Sequence, residues 1–333
     1  MKKSLVLMAL AGVALASCVN DVADVAQNEQ KKALIGFQSP VIYQNATSRY
    51  VAGEISGTKY PTGESFMVAA SKSATDWSET TEFWDGFQEV SYVGAQNGWK
   101  TSKDYYWPTY SLSFVAYSPA GLVGTTTLAD VTYTNAGWNF DDFVVPTDQT
   151  QKIDLLYSDL IEDQTSNGNN GGYYGVPVVF KHALSSIHFK VVTDVTEADV
   201  ILKSITISEV KYKGDFDGTD WAAADDVESY ETDGSNLEFD TDGEDVANSL
   251  LLMPQALTDV TMVVKYSVNG VEKYTSPISL YNLKQNETTF ITAWEPGHRY
   301  TYILNYSALA EDLIYFAPSV TDWDDVSLTI NLN

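Results

Sequence analysis

The sequence predicts an all-β fold, arranged as two β-sandwiches in tandem, and three observations carry that expectation. Trp, Tyr and Phe make up 13% of the 333 residues, and with the many Val and Thr they favour strands over helices. Short apolar runs recur between clusters of Gly, Asn and Asp, the turn chemistry that punctuates antiparallel sheets. No stretch sustains the apolar period of an amphipathic helix.

The first element is an export address. Lys2 and Lys3 supply a charged start, and Leu5 to Ala16 form an apolar run shorter than the roughly 20 residues a membrane-spanning helix needs. The run ends in Leu15-Ala16-Ser17-Cys18, a small-residue cleavage site closing on the only cysteine of the chain. That is the pattern of a bacterial lipobox, in which the thiol is alkylated with diacylglycerol and cleavage leaves Cys18 as the new N-terminus. Residues 1–17 are therefore expected to be a signal peptide and Cys18 the lipidation site; the bland alternative is an ordinary signal with a cysteine at the cut. One cysteine excludes an intrachain disulfide and a thiolate zinc site. Residues 18–32, polar and Ala-rich, read as a lipidated tether.

Folded sequence is expected from Ala33. Strands are expected at Leu34 to Phe37, Ser65 to Ala70, Leu112 to Tyr117, Ile153 to Tyr157, Pro177 to Phe180 and Ile187 to Val192. A second set follows at Ser204 to Val210, Ser249 to Met253, Thr261 to Tyr266, Lys273 to Leu280, Arg299 to Tyr306 and Val326 to Leu332. Spacing of this kind belongs to sandwiches. The Asn/Gly-rich stretch Thr165 to Gly172 is the candidate linker, dividing the body into 33–168 and 169–333, each of ordinary domain size.

The formal net charge of -26 opposes nucleic acid and electrostatic attachment to an anionic membrane, whose phosphates it would repel. Membrane contact is then left to the lipid. The acidic stretch from Asp215 to Asp245 contains no Lys or Arg and reads as an exposed loop or excursion. Its opening, Asp215-Phe216-Asp217-Gly218-Thr219-Asp220, begins like a calcium loop, but Thr219, Asp220 and Asp226 stand where that loop needs Asp or Asn, Gly and Glu. A solvated hairpin is the better reading.

Other residue types give no enzyme. His182 and His188 are six apart, about 20 Å at strand rise, too far to share a metal; His298 stands apart from both in sequence. Ser186 beside His188 lacks the third, orienting group of a triad, and the carboxylate pairs are too numerous to mark a glycosidase site. Trp107, Trp294 and Trp323 adjoin Pro or turn residues and suit core edges. Trp77, Phe83 and Trp84 either pack in the same way or stack on sugars, so a monomeric surface lipoprotein that binds glycan is the rival class.

The wording of the strands points further. Tyr106-Trp107-Pro108, Phe114-Val115-Ala116-Tyr117-Ser118-Pro119, Asp154-Leu155-Leu156-Tyr157 and Phe180-Lys181-His182-Ala183-Leu184-Ser185-Ser186-Ile187-His188-Phe189 follow one another. Then come Leu252-Met253-Pro254-Gln255, Trp294-Glu295-Pro296-Gly297-His298-Arg299-Tyr300-Thr301-Tyr302, and the ending Ile314 to Val320 with Trp323. In this order they resemble the successive signatures of fimbrillin-like proteins, the pilus subunits and accessory lipoproteins of Bacteroidales-type bacteria. The resemblance implies two transthyretin-like sandwiches and lipoprotein export to the outer membrane. It also implies assembly with other fimbrillin subunits into an adhesive surface fimbrium, with a host or bacterial surface as ligand. No catalyst, cofactor, metal or nucleotide is implied.

In such a family a protease cuts after a basic residue and removes the first strand, and the C-terminal strand of another subunit fills the groove. Arg49, one of only two arginines, lies behind the strand-like stretch ending Asn45-Ala46-Thr47-Ser48 and fits that cleavage site; Lys31 and Lys32 are the nearest alternatives. At the other end, Val326-Ser327-Leu328-Thr329-Ile330-Asn331-Leu332-Asn333 alternates apolar and polar. Val326, Leu328, Ile330 and Leu332 thus share one face of a strand. The pattern suits a donated strand and equally a strand kept in the chain's own sandwich.

Overall fold

The computed structural model of the chain describes residues 33–43, 59–96, 98–166, 175–285 and 288–307, and the backbone of 324–331. Its architecture is all-β sandwich; the one helical element among the described residues is the 3-10 turn Gln149–Gln151.

One sheet gathers β1 (Val41–Ile42), β2 (Ser65–Ser71), β3 (Gln88–Tyr92), β4 (Trp99–Thr101) and β5 (Leu112–Ser118). The hairpin β6 (Asp130–Thr134) and β7 (Gly137–Val144) intervenes before β8 (Leu156–Ser158), β9 (Ile161–Gln164) and β10 (Val179–His182) complete it. The spatial order is β1-β10-β8-β5-β2-β3-β4, with β9 beside β5. On β2, Phe66, Val68 and Ala70 turn inward at alternate positions, as the two-residue period of a strand requires. They meet Leu112, Phe114 and Ala116 of β5. The opposite face of β5, Val115 and Tyr117, is buried in a second cluster, which is why this strand reads as an apolar run rather than an alternation.

The later strands are β11 (Ser185–Thr193), β12 (Val200–Lys211), β13 (Lys213–Phe216), β14 (Trp221–Ala223), β15 (Val227–Asp233), β16 (Glu244–Asp245), β17 (Leu250–Leu252), β18 (Gln255–Ala256), β19 (Thr261–Val268) and β20 (Val271–Tyr274). Four two-residue strands, β21 (Ile278–Ser279), β22 (Leu283–Lys284), β23 (Phe290–Ile291) and β24 (Ala293–Trp294), lead to β25 (His298–Tyr306) and β26 (Asp324–Asn331). Two sheets, β16-β11-β25-β26 and β15-β12-β19-β20, share one apolar core: Ile187, Phe189 and Val191 with Tyr302 and Leu304 from the first, Leu202, Ile205, Ile207 and Val264 from the second. Leu202 and Ile205 are three apart yet both buried, because the register with β19 shifts between Leu202 and Ser204. A bulge there inserts one residue and restores the inward face.

A further sheet, β14-β13-β7-β6, joins the two halves of the sequence. Phe140 of β7 pairs with Phe216 of β13, and one apolar cluster runs from Val115 and Tyr117 to Leu304. The expected linker falls largely on residues 167–174, outside the described residues.

The sequence expectation for Asp215 to Asp245 is corrected. Its first part is indeed a hairpin, β13–β14, whose turn is held by Asp217 Oδ1 accepting from Thr219 N–H and Asp220 N–H, each at 2.8 Å. The rest includes β15, where buried Tyr230 and Thr232 alternate with exposed Glu231 and Asp233. Glu228, Glu231 and Asp233 are the outer face of this half-buried strand, and charge density alone concealed its inner face. The expected strand Lys273 to Leu280 is divided as well, into β20 and β21.

Candidate functional site

The site is a seam. Residues 33–43 bond on both sides, closing the gap between the two ends of the first sheet. On the side of β4, Ile35 N–H donates to Tyr105 O at 2.8 Å, Phe37 N–H to Trp99 O at 2.9 Å, and Trp107 N–H to Ala33 O at 3.0 Å. On the side of β10, Val176 N–H donates to Gly36 O at 2.8 Å, and Gln38, Val41 and Tyr43 N–H donate to Val176, Val178 and Phe180 O at 3.0, 3.1 and 2.7 Å. The segment runs antiparallel to one wall and parallel to the other.

Its side chains plug the space between the walls. Ile35, Phe37 and Ile42 are buried, while Leu34, Val41 and Tyr43 face out. Phe37 meets Phe66 and Phe114 edge-on at centroid distances of 5.9 and 6.0 Å, a geometry that aromatic quadrupoles favour. The plug is not a regular strand, however. Inward residues fall at 35 and 37 and then at 40 and 42, so the phase slips between Phe37 and Pro40, and Pro40 has no N–H to give.

Two local devices hold the seam. Gly175, at φ +83°, passes so close beneath it that a Cβ there would lie 2.7 Å from the carbonyl carbon of Phe37. Tyr60 clamps the other side: its N–H donates to Pro40 O at 3.0 Å, its hydroxyl donates to Ser65 O at 2.9 Å and bonds Ser118 Oγ at 2.7 Å. Burial holds the Tyr60 hydroxyl above the usual tyrosine range. The described residues of the plug thus end at Tyr43, and the clamp stands at Tyr60.

Arg49 belongs to the stretch between those anchors, residues 44–58, which lies outside the described residues, as do Cys18, Lys31, Lys32, Trp323 and Leu332. Of the alternating C-terminal residues, Val326, Leu328 and Ile330 fall on β26. Its backbone pairs parallel with β25 and sets them opposite Tyr300, Tyr302 and Leu304. β26 is an edge strand, bonded on one side only among the described strands.

The candidates His182, His188, Ser186, Trp107 and Trp294 resolve into packing and local hydrogen bonds. His182 Nδ1 lies 2.9 Å from Asp154 Oδ1 in a fully buried pair, and β10 ends at His182 while β11 holds His188. Ser186 Oγ and His188 Nε2 bond at 2.8 Å along one face of β11. Trp107 and Trp294 are buried, the latter donating from Nε1 to Tyr302 Oη at 3.0 Å. Sequence reasoning missed the walls of the seam, Trp99 and Val176, and the clamp Tyr60. Trp107 reads from the sequence as a core-edge residue, without its place on the wall of the seam.

The sequence model of a family described as Fimbrillin-like matches residues 55–323. No curated protein matches the chain. Among solved structures, a fimbrial protein from Bacteroides vulgatus is similar at 17% identity and TM-score 0.55, covering 90% of this chain and 98% of that one. A protein from Bacteroides uniformis assigned to cell adhesion is similar at 15% identity and TM-score 0.53, over 91% and 98%. At such identities the likeness speaks to the fold.

Proposed function

This chain belongs to the fimbrillin-like family, a structural rather than an enzymatic class, and from that premise we propose that it is a subunit of an adhesive surface fimbrium, built by exchange of strands. In this reading the chain is exported as a lipoprotein through Cys18 and held at the outer membrane by its lipid. Cleavage after Arg49 then frees the segment 33–43.

The observation that carries the reading is the two-sided seam. Loss of residues 33–43 would bare carbonyls on both walls, from Trp99 and Tyr105 on one side to Val176, Val178 and Phe180 on the other. It would also open an apolar trough floored by Phe66 and Phe114. Unpaired edges over an apolar trough are what an added strand satisfies, through ladder bonds and alternate side chains. The resident plug breaks phase at Pro40, whereas 326–333 alternates without a break. An incoming C-terminal strand therefore completes a more regular ladder than the one it replaces, which gives exchange a direction.

The test is to purify the chain, cut it with a trypsin-like protease and follow SDS-resistant ladders. Ladders are expected after cutting, none in Arg49→Ala, and none when 326–333 is deleted. Ladders that persist in both variants would remove the strand-exchange reading while leaving family membership intact. Loss of palmitate labelling in Cys18→Ser tests the anchor separately.

A further inference from the structure

Away from the seam, a pocket of about 570 Å³ opens between β2 and β6 under residues 72–87, within the roughly 300–1,000 Å³ range of small-molecule sites. Its aromatic lining is Trp77, Trp84, Phe87 and Tyr133. Trp77 and Tyr133 meet edge-on at 4.8 Å, and Tyr133 continues into Trp138 at 5.0 Å. The covering loop is built rather than loose. Trp77 N–H donates to Asn135 Oδ1 at 2.6 Å and Thr81 Oγ1 to Asp76 O at 2.7 Å, tying the loop to the β6–β7 turn and to itself.

From this geometry we infer that the pocket binds a neutral sugar residue. A pyranose ring has an apolar C–H face and a hydroxyl edge, and the pocket offers the complement of each. Aromatic rings supply the apolar wall; Glu79, Glu82 and Thr132 supply polar groups around it. No Lys or Arg lines it among the described residues, so an anionic sugar finds two carboxylates and no counter-charge. A compact cation would satisfy those carboxylates but leave most of the volume empty.

The experiment is saturation-transfer NMR with tryptophan fluorescence on the purified chain. The probes are D-galactose, D-mannose, N-acetyl-D-glucosamine and lactose, with sialic acid and tetramethylammonium chloride as anionic and cationic comparators. At least one neutral saccharide is expected to bind, and its affinity to fall about tenfold or more in Trp77→Ala, the loss that one stacking contact would bring. Thr132→Lys, an exposed rim substitution outside the core, is expected to weaken binding likewise and keeps the test decisive if Trp77→Ala fails to fold. Absence of binding by all four sugars, preference for either comparator, or equal binding by Thr132→Lys would overturn the assignment. None of these substitutions touches residues 33–43, so ladder formation reports on the fimbrial reading independently.

Discussion

The two ends of the described chain enter their sheets in opposite ways. Residues 33–43 lie between two walls, bonded to both and buried through Ile35, Phe37 and Ile42, yet their pairing is broken by a phase slip and a proline. β26 is regular over eight residues but bonds one neighbour only among the described strands. Regularity and dependence are thus separated: the first sheet leans on an irregular strand, while the last sheet carries a regular strand at its rim. A strand at a rim is removed at the cost of one ladder, whereas a strand in a seam takes two ladders and part of a core with it.

Deletion is the strongest way to break that comparison. Removing residues 33–43 withdraws three buried apolar side chains, on the order of 5–9 kcal/mol at about 1.5–3 kcal/mol each, comparable with the whole stability of an ordinary domain. The first sheet is expected to lose its packing and the chain to bind a hydrophobic dye. Removing 324–333 should leave the first sheet in place. A synthetic peptide of Val326 to Asn333 added to the first deletion should restore protease resistance; a scrambled peptide that restores it equally would show that any apolar strand fills the seam.

A single residue should come next in size. Gly175→Ala sets a Cβ against the Phe37 backbone and forces a left-handed conformation on a residue with a side chain. Strain of this kind costs about 1–3 kcal/mol before the steric clash is counted. The same substitution at Gly270, also at positive φ but with open space around it, should carry only the backbone part. Equal midpoints for the two variants in urea would mean that the seam relaxes freely around residue 175.

The sequence made the sandwich strands legible where both period and length were plain: β2, β5, β11, β19 and β25 lie close to their expected positions. It hid β6, β7 and β15, because alternating acids or Asn and Asp among aromatics resemble turn composition when the inward partners are not known. The seam was half legible. Leu34 to Phe37 reads as a strand, but its walls at Trp99 and Val176 are 62 and 139 residues from Phe37, and no local pattern encodes such a distance. Gly175 could be found only through the backbone that passes over it.

Alkaline titration probes the junction between the first sheet and the sheet β14-β13-β7-β6, where Tyr117 meets Phe140 and Tyr157 meets Phe216. Burial pushes the hydroxyls of Tyr117 and Tyr157 up to about 12, against about 10 in an unfolded chain. The folded form therefore holds protons that the unfolded form releases, so this stabilisation is complete below about pH 10 and is lost as pH rises through about 12. Each group accounts for about 3 kcal/mol at most, at 1.36 kcal/mol per pKa unit. Unfolding should track phenolate absorbance in this window and should move to higher pH in Tyr117→Phe. If the urea midpoint is flat from pH 10 to 12, the junction opens without global unfolding.

The finest comparison sets two buried tyrosines against each other, one in each of the two apolar clusters. Tyr60→Phe removes a hydroxyl at the seam, but Ser65 O still accepts from Ala120 N–H at 3.0 Å, and the Ser118 hydroxyl is free to turn, so the cost should be near the ordinary hydrogen bond at about 1 kcal/mol. Tyr302→Phe removes the acceptor of Trp294 Nε1, a donor whose residue is only 2% exposed, and an unpaired buried N–H costs about 1–3 kcal/mol. The second substitution should therefore exceed the first, although the first lies in the sheet that depends on the seam. Urea midpoints of the two variants decide the order. If Tyr60→Phe proves the more damaging, its hydroxyl is positioning Pro40 and through it the whole plug, and the seam is held by its clamp more than by its buried side chains.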